Sequence, residues 1–393
     1  MPVQQQGEQA GRRVYLDYAA TAPLDPRLHQ VIAACSWANA NSLYAEGREA
    51  RRQLEDARKR IARAVGARQP AEIVFTSGGT EGDNMAVRGL LPANAKPQET
   101  HVIVSSIEHH AVADAAASLK RLGCKVHAVP ANRSGVVTPQ ALQETAAKAL
   151  AQGGTLALVA VMAVNNELGT IQPVRALAAA AHELGALFFT DCVQALGKVE
   201  VNLEESGVDA AAFSAHKLGA LKGAGFVYLR RGTRVQPLLF GGGQESGLRS
   251  GTSNVMGACA MAAAVEYAVA EREAVWQHAA ALRAQLLEGL GRLEARHGLA
   301  PTLAVDAPCV PHTLSLLADG LEGETLVQRL DSLGVAASSG SACSTGSLDP
   351  SPVLTAIGIP KQRAYGSLRL SFGAATTAAD IDHLLAVLPQ ALR

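Results

Sequence analysis

The sequence predicts an α/β fold: a large domain built on a mostly parallel, seven-stranded sheet flanked by helices, then a smaller α+β C-terminal domain. Three observations carry this. Short apolar runs alternate with Ala-, Leu-, Glu- and Arg-rich stretches of helical period, the pattern of repeated strand–helix–strand units. Hydrophobic residues make up 48% of the chain but aromatics only 4%, so alanine and glycine do much of the packing, which suits close helix–sheet contact. After Asn254 the alternation gives way to one long helical stretch, and the texture beyond it is that of a second, smaller unit.

In order, strands are expected at 73–76, 101–105, 126–129, 156–162, 187–190, 210–213 and 225–229. Each is a short run dominated by apolar residues, as expected of strands buried on both faces of a parallel sheet. Between them the helical period predicts helices at 49–65, 81–90, 110–122, 139–151 and 174–184, the fourth opening on Pro139, which is well suited to a first helical position. The long helix is expected over 256–297. Beyond it, 313–317 and 368–372 look like strands and 323–333 like a helix. The domain boundary is placed near residue 255, giving a large domain at 15–255 and a small domain at 256–393 that residues 1–14 join.

The bulk numbers exclude several function classes. Lys+Arg and Asp+Glu are equal at 35 each, which argues against a direct nucleic-acid or anionic-membrane binder. No apolar run approaches the roughly 18 residues that span a bilayer, so no membrane association is expected. The first residues are polar and lack the apolar region of an export signal. The six cysteines (35, 124, 192, 259, 309 and 343) are dispersed, so they read as reduced thiols in a cytoplasmic protein, with no metal-ligand spacing.

In such sheets ligands bind beyond the carboxyl ends of the strands. After 73–76 come Ser77-Gly78-Gly79-Thr80-Glu81, where glycines let the backbone approach an anion and free amides at a helix start favour phosphate. After 101–105 come Glu108-His109-His110, and after 156–162 come Asn165-Asn166-Glu167-Leu168-Gly169. After 187–190 stand Asp191 and Gln194, and after 210–213 stand Ser214, His216 and Lys217. Taken singly, each has a plainer alternative: a capped turn, a solvent-facing histidine, turn chemistry, a helix-capping aspartate, a lysine at a strand's exit. Taken in order, a phosphate loop, a ring-stacking histidine, an amide, a carboxylate and a nucleophilic lysine would share one crevice. That is the set that would hold pyridoxal phosphate, the carboxylate pairing with its ring nitrogen.

The chain resembles the class V aminotransferase-like pyridoxal phosphate enzymes of aspartate aminotransferase-like fold, and specifically the NifS/IscS-type cysteine desulfurases. The resemblance rests on Tyr15-Leu16-Asp17-Tyr18-Ala19-Ala20-Thr21, Thr76-Ser77-Gly78-Gly79-Thr80-Glu81, Glu108-His109, Asn166-Glu167-Leu168-Gly169, Asp191-Cys192-Val193-Gln194 and Ser214-Ala215-His216-Lys217. Further on it rests on Gly241-Gly242-Gly243-Gln244-Glu245, Arg249-Ser250-Gly251-Thr252, Ser338-Ser339-Gly340-Ser341-Ala342-Cys343 and Ser367-Leu368-Arg369-Leu370-Ser371-Phe372-Gly373. It implies that Lys217 binds the cofactor covalently, that Asp191 pairs with the ring nitrogen and that His109 stacks on the ring. Asn166 and Gln194 would contact the ring's oxygen side, with Asn166 also touching substrate. Gly79, Thr80, Ser214 and His216 would bind the phosphate, Thr252 reaching across from the partner in a homodimer. Arg369 would clamp the carboxylate of L-cysteine, and Cys343, on a small and polar loop expected to move, would take the sulfur as a persulfide and pass it to a protein acceptor. Iron–sulfur cluster, thio-cofactor or tRNA sulfur supply would follow.

Three departures from the family are plain. Ala220-Leu221-Lys222-Gly223 replaces the usual Gly-Pro-Lys-Gly, and Asn39-Ala40-Asn41-Ser42-Leu43-Tyr44 lacks the usual proline and histidine. The chain stops at Arg393, so the longer tail that docks an iron–sulfur scaffold is not expected. Selenocysteine lyase and aminotransferase activity are the neighbouring alternatives, and a sulfur-assembly scaffold without chemistry is a third.

Overall fold

The structure is a computed structural model and describes residues 13–340 and 349–393. Its main sheet has seven strands in the order Ile73–Thr76, Gly225–Leu229, Ala210–Ser214, Leu187–Asp191, Thr155–Ala160, Thr100–Ser105 and Lys125–Val129. All seven match expected strands to within two residues. Gly225–Leu229 alone runs antiparallel to its neighbours. The reason is chain length: the connection 215–224 is too short for the crossover of a dozen or more residues that a parallel pairing needs. The helices also fall where the period places them, except that the first long one, Ala45–Ala64, begins four residues before the expected start at 49. Its start lies at Tyr44, whose extended backbone supplies the cap position without a side-chain cap bond.

Helix Val255–His297 runs from one unit to the other, about 65 Å at ~1.5 Å per residue. Its first half is alanine-rich and buried (Ala258, Ala260, Ala262, Ala263 and Ala264) against helix Ala45–Ala64. Its second half contributes Leu282, Leu286 and Leu290 to a separate core with Leu314, Leu316, Leu368 and Leu370. That core covers an antiparallel sheet ordered Ser367–Ser371, Thr313–Ala318, Leu299–Pro301. Val14–Tyr15 pairs with Val335–Ala336, so the start of the described chain packs on this second unit before Asp17 bridges to Ser371 and the chain passes to the main sheet. Among the described residues no helix is long and apolar enough to cross a membrane.

The carboxyl ends of Ala210–Ser214 and its neighbours are fixed by aromatic packing underneath. Phe213 and Phe226 stack with centroids 4.3 Å apart and planes at 15°. Phe226 is fully buried, so Phe226→Ala should cost about 3–5 kcal/mol, read as a lowered midpoint in urea unfolding of the apoprotein with little change in slope.

Candidate active site

The loop after Ile73–Thr76 turns into helix Gly79–Gly89 through Gly78, at φ +154°, ψ −176°, a conformation essentially restricted to glycine. A Cβ on Gly79 would lie 2.7 Å from Val193 Cγ2, so the backbone comes as close to the Asp191–Gln194 turn as a side chain would allow. Ser77 N donates to Glu81 Oε2 at 2.8 Å, and Glu81 is held in turn by Arg249.

The neighbouring strand ends aim at the same space. A cavity of about 480 Å³ is lined by Gly79, Thr80, His109, Asn166, Asp191, Gln194, Ser214, His216, Lys217 and Arg369. Ten of the twelve expected site residues therefore meet in one place. Thr252 is exposed and lies outside this cavity in its own chain, beside Ser77 and Arg249. Cys343 lies outside the described residues.

Each side chain has a defined state. Lys217 Nζ donates to Ala19 O and Ala20 O, both at 2.7 Å. Asp191 Oδ1 accepts from Val193 N at 2.8 Å, and burial pushes its carboxyl up to about 6 against the pull of that amide and of Lys217. His109 caps helix His110–Arg121, its Nδ1 accepting from Ala111 N at 3.1 Å. Burial, then Lys217, lowers it to about 4, so the ring is neutral, and the capping bond assigns its proton to Nε2. His216 is likewise lowered to about 4 by burial and Lys217, its Nδ1 3.1 Å from Thr21 Oγ1. Gln194 Nε2 donates to Ala19 O at 2.8 Å. Asn165 takes the turn role, accepting from Glu167 N and Leu168 N, which leaves Asn166 Oδ1 buried without a partner among the described residues. Arg369 Nη2 donates to Asp17 Oδ1 at 2.9 Å and Nη1 to Asn166 O at 3.1 Å, while its Nε has no partner among the described residues.

Two acids have no role in the sequence reading, although one of them, Glu108, stands in the Glu108-His109 motif. Asp83 lines the cavity, 1% exposed, with Oδ1 unpartnered among the described residues. Glu108 accepts from Ser105 Oγ and Met162 N behind it. Burial raises both carboxyls, Glu108 to about 8, and Asp191 adds to each. Asp83 stands four residues after Gly79 on one helix, so the helical period already puts both on one face.

These residues fit pyridoxal phosphate: an amine for its carbonyl carbon, a buried carboxylate for its ring nitrogen, an unsatisfied amide for its ring oxygen, and a glycine turn at a helix start for its phosphate.

The buried acids also set a pH dependence. Unfolded, Glu108 gives up its proton near ~4.3, whereas folded it holds it to about 8, so its contribution to stability is lost progressively as pH rises between those values. Glu108→Gln should therefore flatten the fall in apoprotein stability between about pH 6 and pH 8, measured by chemical unfolding at each pH. An unchanged slope would show that the carboxyl ionises freely in the fold.

Comparison with known proteins agrees with this geometry. Residues 14–384 match the aminotransferase class-V family. The cysteine desulfurase IscS of Dictyoglomus turgidum is 39% identical over 380 residues, covering 96% of this chain and 94% of that protein. A solved NifS-like protein superposes with a TM-score of 0.87 at 34% identity, covering 97% of this chain and 99% of the other. A structure of SspA in complex with cysteine aligns at TM-score 0.78 and 28% identity, over 93% and 100% of the two chains. The chain belongs to the class-V aminotransferase family, among its cysteine desulfurases, and is a pyridoxal phosphate-dependent enzyme.

Proposed function

We propose that this enzyme converts L-cysteine to L-alanine and takes the released sulfur as a persulfide on Cys343, for delivery to a protein acceptor. The balance is simple: the substrate's C–S bond breaks, an S–S bond forms to the Cys343 sulfur, and of the three mobile protons (the substrate's Cα proton and the two thiol protons) two end on Cα and Cβ of alanine and one on the persulfide. The observation that best supports this is the meeting of Lys217, Asp191 and Arg369 on one buried cavity, in a chain that also carries Cys343 a few residues beyond the Arg369 bridge partner Ser338. Bound pyridoxal phosphate supplies the electron sink that makes the substrate's C–S bond labile.

The residues do the rest. Arg369 offers a planar fork suited to the substrate carboxylate. Asp191, ionised, holds the ring nitrogen's proton. His109 presents Nε2–H from a ring kept neutral, a proton donor of the kind the reaction needs. Lys217 Nζ moves the substrate's Cα proton. The Gly79–Thr80 amides, Ser214 and His216 would hold the phosphate, and Asn166 and Gln194 would contact the ring's oxygen side. We further assign the enzyme to the cytoplasm and to a homodimer in which Thr252 reaches the neighbouring cavity. We also assign residues 15–255 to the cofactor domain and residues 256–393, joined by residues 1–14, to a small domain.

Two measurements test this reading. Cys343→Ser, loaded with cofactor, should retain the cofactor's visible absorbance yet form no protein persulfide and release alanine only at background rate. Persulfide formation at the parental rate would overturn the role of Cys343. Arg369→Lys loses the bidentate fork and should lower kcat/KM for L-cysteine by about 10- to 100-fold, the worth of a charge-assisted hydrogen bond. An unchanged kcat/KM would place the substrate carboxylate elsewhere.

A further inference from the structure

A second cavity, of about 520 Å³, adjoins the first and shares Lys217 with it. The segment 17–22 is the common wall: Asp17, Ala19 and Ala20 line the cofactor cavity, Tyr18 and Ala22 the second. Its sides are largely apolar, with Leu196, Leu218, Tyr267, Val275 and Phe372 among them. The proposed reaction makes no use of it.

Two polar groups in its lining lack what their chemistry calls for. His312 is 3% exposed, and neither ring nitrogen has a hydrogen-bond partner among the described residues. A buried imidazole left this way forgoes a donor and an acceptor bond, at a cost that a ligand would remove. The second group is Lys198. Its Nζ donates to Gln194 Oε1, a neutral amide, and the charges that act on it are those of Lys217 and Arg369, both of like sign. Burial and these cations lower its amine to about 7, and Lys198 in turn adds to the burial that lowers His312. The rim charges offer it no help, because Arg27 is paired with Asp25 and Glu271. An amine among cations, beside an unpartnered imidazole and under apolar walls, is short of an anion with an apolar body.

We propose that this cavity binds a small carboxylate carrying an aliphatic or aromatic body, its carboxylate held by Lys198 Nζ and the His312 N–H. The body packs against Leu196, Leu218, Tyr267 and Val275. The site is linked to the cofactor cavity by hydrogen bonds: Lys198 donates to Gln194, Gln194 donates to Ala19 O, and the same carbonyl accepts from Lys217. It stands independently of the desulfurase reaction, since binding alone tests it.

The chain contains two tryptophans, and one of them reports on this site. Trp276 meets His312 edge-on, with ring centroids 6.0 Å apart, whereas Trp37 is 84% exposed and removable. The experiment titrates the cofactor-loaded Trp37→Phe enzyme with 3-phenylpropionate and follows Trp276 fluorescence. A saturable change is expected. Its Kd should rise about tenfold or more in Lys198→Met and in His312→Leu, the loss of one charge-assisted hydrogen bond. The uncharged 3-phenylpropanamide should bind at least about tenfold more weakly than the carboxylate, and excess L-alanine, the product proposed for the cofactor cavity, should leave the Kd unchanged. The proposal is overturned by any of four results: no saturable change, equal binding of the amide, the parental Kd in both variants, or displacement of the probe by L-alanine. The amide comparison needs no substitution in the cavity, so it decides the matter even if Lys198→Met or His312→Leu fails to fold.

Discussion

The ion pair between Arg369 and Asp17 joins three parts of the chain that are distant in sequence. Arg369 sits on the central-to-edge pairing of the small sheet, Asp17 on the segment leaving the Val14–Tyr15 strand, and Asn166, whose carbonyl takes the second guanidinium bond, on the loop beyond Thr155–Ala160. Ser338 Oγ donates to the other oxygen of Asp17 at 2.8 Å. A guanidinium only 3% exposed is tolerable because a carboxylate and a backbone carbonyl take two of its nitrogens, and removing the carboxylate would strand a buried charge at a cost of several kcal/mol. The pair fixes how the small sheet closes over the main one, and so the shape of the cofactor cavity. Yet Nε is left over, and the fork is not saturated. A second carboxylate therefore meets a guanidinium already desolvated and oriented, which is what a substrate clamp requires.

Behind the cavity the electrostatics runs the other way. Asp191, Asp83 and Glu108 are three acids buried within each other's influence, and each is raised chiefly by loss of solvent. The protons then divide unequally. Glu108 and Asp83 hold theirs most tightly, while Asp191 has an amide bond from Val193 and the nearby Lys217 to favour its charge. Of the three, Asp191 is thus the one that ionises most readily, and it is the one at the cavity's carboxyl edge. A cationic ring nitrogen beside it would complete the charge balance without water.

Much of this was legible beforehand because strand ends carry their chemistry in sequence order: each short apolar run is followed at once by its polar residue, so Gly79, His109, Asn166, Asp191 and Lys217 could be placed at one edge without knowing the strand order. The reversed strand Gly225–Leu229 was not anticipated, since strand direction depends on connection length and not on the pattern within the strand. Asp83 carries no signal of its own in the sequence, because an acid in a helix's first turns ordinarily serves the dipole, and only burial reveals that this one does not. Lys198 and His312 come from segments far apart in sequence, neither with a motif of its own, and they become neighbours only when the small unit closes. Long-range proximity of that kind leaves no local signature.

The placement of Cys343 in the reaction rests on what the chain around it is tied to. Ser338 exchanges backbone hydrogen bonds with Arg369, at 3.2 and 2.7 Å, so the strand leading to the cysteine is registered directly on the residue proposed to hold the substrate's carboxylate. Gly340 N donates to Ser367 Oγ at 3.0 Å, one further anchor on the same strand. On the far side Ser351 Oγ donates to Glu167 Oε2 at 2.5 Å, beside Asn166. Cys343 stands between these two anchors in sequence, three residues past Gly340 and outside the described residues. Both ends of the segment that carries the proposed sulfur-accepting cysteine are thus registered on the wall that Arg369 and the Asn166–Glu167 turn form, so the loop's anchors and the proposed substrate clamp share one set of hydrogen bonds.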